Sequence, residues 1–86
     1  MDKKMQYRKF KEDANYLVKR LRDSDEEAFA FLFDTYGKSL YFYCNSILKN
    51  STFGEDVVQE SFVNLWERRK DFVALLPVRV FLYQTA

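Results

Sequence analysis

The chain has 86 residues, enough for one small domain that would bury only ~60–65% of the surface its unfolded form exposes. Nine Phe, six Tyr and one Trp with only two Gly and one Pro favour long helices around an aromatic core and argue against a turn-rich β sandwich. The net charge is +1, and the absence of His with a single Cys44 excludes an intrachain disulfide and a zinc site of the usual four Cys and His ligands.

Four helical stretches follow one another, without internal repeats or low-complexity segments. The first covers about 7–22, where Tyr7, Phe10, Ala14, Leu17, Val18 and Leu21 recur at helical spacing behind a very polar start. Residues 1–13 read as a polar basic N-terminal extension and 14–86 as the helical domain. Ser24 and Glu27 have the spacing of a capping box that opens the second helix, with Asp25 and Glu26 where the dipole favours negative charge. Its stripe of Phe29, Leu32, Phe33, Tyr36, Leu40, Tyr43, Cys44 and Ile47 runs to about Lys49, with Gly37 inside at a cost of about 1 kcal/mol relative to Ala. Thr52 and Glu55 form a second capping-box pattern, and the third helix extends to about Lys70. Pro77 fits the first position of a fourth helix, where no N–H is required. No stop signal precedes Ala86, so the sequence reads as cut within that helix. The expected fold is all-α, a small bundle of three to four helices, with Phe29, Tyr36, Phe62 and Leu65 largely buried.

The third helix carries two faces. At 100° per residue, Val58, Phe62, Leu65 and the stem of Arg69 fall on a core side. Asp56, Gln59, Glu60, Val63 and Glu67 gather opposite, with Trp66 at the edge. One apolar residue amid carboxylates and an amide fits a helix-on-helix contact, with Val63 and the rim of Trp66 as a dry anchor and the carboxylates facing Arg on a partner. Charge along the chain agrees. Residues 1–22 sum to +5, 23–60 to −6 and 61–86 to +2, as for a basic protein partner at the middle and an anionic partner elsewhere.

An enzyme has little to work with. There is no His for general-base chemistry, Cys44 sits on an apolar stripe as an inert thiol does, and the carboxylates lie on an open helix face. No metal or cofactor is expected. A stand-alone helix-turn-helix reader is also poor, since the third helix opens with Glu55 and Asp56, which repel phosphate. No apolar run approaches the ~20 residues of a membrane span, and Met1-Asp2-Lys3-Lys4 does not open a signal peptide, so a cytoplasmic protein is expected.

The ordered set of pieces closely resembles region two of the extracytoplasmic-function sigma factors of bacterial RNA polymerase. It comprises Leu17 to Arg22, Asp25 to Phe29, Leu32-Phe33 and Tyr36, then Asp56-Val57-Val58-Gln59-Glu60-Ser61-Phe62, Leu65-Trp66, Arg79 and Phe81-Leu82-Tyr83, over about residues 16–86. The resemblance implies that Asp56, Gln59 and Glu60, with Val63 and Trp66 beside them, contact the clamp helices of the core polymerase's largest subunit. It further implies that the segment from Val78 leads toward promoter −10 DNA, with Arg79 a weak candidate for a phosphate contact and an ordinary solvent-facing charge its rival. Phe81 and Tyr83 read as core rather than base-stacking residues. In the family the full-length protein directs transcription initiation, and many members are held by an anti-sigma factor, a possible partner here. The rival reading is a generic helical protein-interaction domain without a transcription role.

Overall fold

The computed structural model describes residues 3–48 and 51–85, with side chains for 6–47 and 54–84, and every regular element among them is helical. The elements are α1 (Lys3–Glu12), α2 (Ala14–Arg22), α3 (Glu26–Leu48), α4 (Ser51–Glu67), a 3₁₀ turn (Arg69–Asp71) and α5 (Leu75–Thr85). Five α-helices thus replace the expected three to four.

The extra helix arises at Asp13, which divides the expected 7–22 segment. Its backbone leaves helical space (φ −132°, ψ 93°), and its Oδ1 accepts from Tyr16 N at 3.0 Å, a bond that Glu12 C=O would take in an unbroken helix. The bend sets Phe10 against the Tyr16 ring, centroids 5.6 Å apart, and against Phe31 of α3 at 5.5 Å. Periodicity could not reveal this, because the apolar rhythm continues across the break; the Asp itself was the signal.

The first capping box does not form. Ser24 (φ 67°) ends α2 instead of opening α3. Asp25 N donates to Arg20 O and Ser24 N to Leu21 O, both at 3.0 Å, the paired bonds of a Schellman close with Ser24 in the left-handed position. Asp25 then caps α3: its Oδ1 accepts from Glu27 N at 2.9 Å, and its Oδ2 from Arg20 Nε at 2.9 Å. That carboxylate holds the Arg20 guanidinium above its ordinary pKa, first by the hydrogen bond and then by charge. The Thr52–Glu55 box falls on a side chain outside the described residues. α4 stops at Glu67 rather than Lys70, and α5 starts at Leu75, which puts Pro77 third in the helix, still within the turn whose N–H groups need no partner.

α3 and α4 form the central antiparallel pair. Phe29 meets Trp66 at one end (5.2 Å), Phe33 meets Phe62 in between (4.9 Å), and Gly54 faces Tyr41 and Asn45 at the other. Around this pair, Leu17, Val18 and Leu21 of α2, Leu32, Leu40 and Cys44 of α3, Val58, Phe62 and Leu65 of α4, and Val78 and Leu82 of α5 share one core. Phe62 and Leu65 are buried as expected, whereas Phe29 and Tyr36 are only partly so, because each lies at the core's edge. Burial raises the pKa of the Cys44 thiol, which leaves it protonated and unreactive at neutral pH.

Candidate docking face

α4 presents the two faces that its periodicity requires. Val58, Phe62 and Leu65 are buried, and Asp56, Gln59, Glu60, Val63 and Glu67 are exposed on the other side. Val63 leaves 54% of its surface to solvent, an apolar side chain with no intramolecular reason to stand among carboxylates. Among the described residues the one ion pair is Arg20–Asp25, and neither Asp56 nor Glu60 takes part in one.

Trp66 is held in place at the end of this face. Phe29 meets it edge-on, the Arg69 guanidinium carbon lies 4.4 Å from its ring centre, and Arg69 Nη1 donates to its carbonyl at 2.7 Å. A cation over an indole face and a second ring at its edge restrict its rotamer, so the exposed rim has a defined direction.

A groove between α3 and α4 extends the face in a way the sequence did not reveal. It encloses about 440 Å³ between Phe33, Gly37, Tyr41 and Val58, with Glu55 and Gln59 on its rim. Phe33, a member of the α3 apolar stripe, is exposed and forms a wall of this groove. Gly37 supplies the floor, and its missing side chain is the feature of the sequence that could have pointed here.

Arg79 is apart from these residues, exposed on α5, with its guanidinium carbon 5.6 Å from the Tyr36 ring centre. Phe81 packs edge-on against Phe72 at 5.3 Å, and Tyr83 against Tyr43 at 5.2 Å. Both rings are partly buried and engaged inside the molecule.

Among the described residues the fold is an all-helical module with an amphipathic helix whose outer side is exposed. A family profile described as sigma-70 region 2 matches residues 32–86, from the middle of α3 to the end of the sequence, and the chain belongs to this family. No curated protein and no solved structure matches the chain. The family is a non-enzymatic transcription-initiation module, whose partners are the RNA polymerase core and promoter DNA. Among the described residues, no helix is long and apolar enough to cross a membrane.

Proposed function

We propose that this chain is the core-docking region of an alternative sigma factor of the extracytoplasmic-function type, working in the cytoplasm. Asp56, Gln59, Glu60 and Val63 of α4, bordered by Trp66, seat on the clamp helices of the polymerase's largest subunit. The observation that carries the reading is the exposure of Val63 among exposed carboxylates on a helix whose other side is committed to the core. Asp56 and Glu60 can each accept a charge-assisted hydrogen bond from a partner Arg, and Gln59 can both donate and accept. Val63 and the Trp66 rim exclude water from those bonds, which strengthens them. The α3–α4 groove gives an apolar side chain of the partner a place beside Gln59.

In the full-length protein this docking presents the segment that includes Arg79 to promoter −10 DNA, and Arg79, exposed on α5, contacts a phosphate there. An anti-sigma factor that covers the α4 face would block the same contact.

The test is binding to a peptide that reproduces the polymerase clamp helices. Glu60→Arg and Gln59→Ala each weaken the affinity, with Glu60→Arg at least tenfold, about 1.4 kcal/mol, because it sets a cation against a cation. Circular dichroism of both variants stays that of the parent. Parental affinity in both removes the assignment.

A further inference from the structure

α1 is strongly cationic and is not explained by the family match, which begins at Leu32. Of its ten residues, Lys3, Lys4, Arg8, Lys9 and Lys11 are basic and only Glu12 is acidic. Lys9 and Lys11 fall in the last turn, where cations complement the helix dipole; Lys4 and Arg8 do not. The helix is fixed to the domain. Gln6 and Phe10 are buried, and Tyr7 Oη donates to Asp34 Oδ2 of α3 at 2.8 Å. Its apolar side is therefore turned inward, which rules out lying on a bilayer by that side.

Two of its cations face outward. Arg8 and Lys11 are exposed, sit three residues apart on one side of the helix, and form no ion pair among the described residues. They border a concavity of about 630 Å³ that also touches Tyr7 and Phe31, with Glu12 as its one carboxylate. Lys9 belongs to another side, with its Nζ 4.2 Å from the Tyr16 ring centre.

We propose that this side of α1 is a sequence-independent contact to the phosphates of duplex DNA, made through Arg8 and Lys11. Arg8 and Lys11 are about 4.5 Å apart along the helix axis. Duplex DNA carries about one charge per 1.7 Å of its own axis, so both cations meet negative charge wherever they land. An acidic peptide would need its carboxylates placed to match, and the concavity has no further donors to place them. Side chains that only position a protein on a duplex need no base-reading geometry, and none is found here. The proposal does not depend on the docking of α4, since it concerns a different helix and is measured without polymerase.

The experiment titrates the 86-residue chain onto a fluorescent mixed-sequence duplex of about 20 base pairs, from about 50 to 200 mM salt. Arg8→Glu/Lys11→Glu lowers the affinity about tenfold or more and reduces the log–log salt slope by about two, close to 0.9 per phosphate contact. Arg8→Gln/Lys11→Gln gives the same slope change without charge reversal, and its helical signal confirms that α1 is still folded. Lys19→Glu/Lys38→Glu, two exposed cations elsewhere with the same change in net charge, has a much smaller effect. Equal losses for the two Glu pairs, an unchanged slope, or displacement of the duplex by polyglutamate at matched charge each overturn the proposal.

Discussion

Arg69 Nε donates to Ser24 Oγ at 2.8 Å, joining the 3₁₀ turn after α4 to the α2–α3 corner across 45 positions of sequence. The same guanidinium bonds the Trp66 carbonyl and covers the Trp66 ring, so one side chain closes the domain and sets the edge of the docking face. Ser24 contributes its hydroxyl from a left-handed conformation that costs a non-glycine residue about 1–2 kcal/mol. Arg69→Met should lower stability by about 1–2 kcal/mol and red-shift Trp66 fluorescence. Ser24→Gly should be near neutral in the parent, where relief of the backbone offsets the lost bond, but stabilising by about 1 kcal/mol in the Arg69→Met background. A double-mutant cycle from urea unfolding gives both values, and simple additivity would show that the two side chains are not coupled.

Phe62 is buried and meets the rings of Phe29 at 6.0 Å and Phe33 at 4.9 Å. Phe62→Ala leaves a cavity between α3 and α4 and should cost about 3–5 kcal/mol. A chain of this length has about 4–13 kcal/mol in total, so the variant should lose a large share of its stability and unfold at a clearly lower midpoint. An unchanged unfolding midpoint would contradict the packing described.

Gly37 is a buried position in the middle of α3, where a Cβ would lie 3.7 Å from the Phe33 ring, an ordinary contact. Gly37→Ala should therefore raise stability by about 0.5–1 kcal/mol through helix propensity. The expected readout is a higher thermal midpoint with unchanged helical content, and a lower midpoint would mean that the groove floor is strained by any side chain.

Tyr7 is pushed up to about 12, chiefly by burial and then by its hydrogen bond to Asp34. The neutral phenol is thus the form the fold favours. Its contribution is fully present below the unfolded value near 10 and is lost as pH rises from there through about 12. Tyr7→Phe should be less stable than the parent at neutral pH, and the gap should close across that alkaline window. Urea midpoints of both proteins at a series of pH values measure it, and a gap independent of pH would refute the bond's role in holding α1.

Much of the site could be read from spacing. A helix places residues at fixed angles, so Val58, Phe62 and Leu65 had to share one side and Asp56, Gln59, Glu60 and Val63 the other. The structure buries the first group and exposes the second. The helix ends were harder. Ser24 and Asp25 both suit a cap, and the choice turned on whether the Ser24 backbone closed α2, a matter of local dihedrals that residue type leaves open. Phe33 belongs to the α3 stripe yet stands exposed, because it lies where the α3–α4 pair opens into the groove, which only the partner helix decides.

The order of residues alone determined that the chain is helical, that α4 is two-faced, and that its ends are basic around an acidic middle, because each of these depends only on which residues recur at what interval. Tertiary structure decided the bend at Asp13, the Arg69–Ser24 closure and the groove above Gly37. Each of those rests on groups distant in sequence, or on a backbone turn that competes with helix, and their energies exist only once the helices have met.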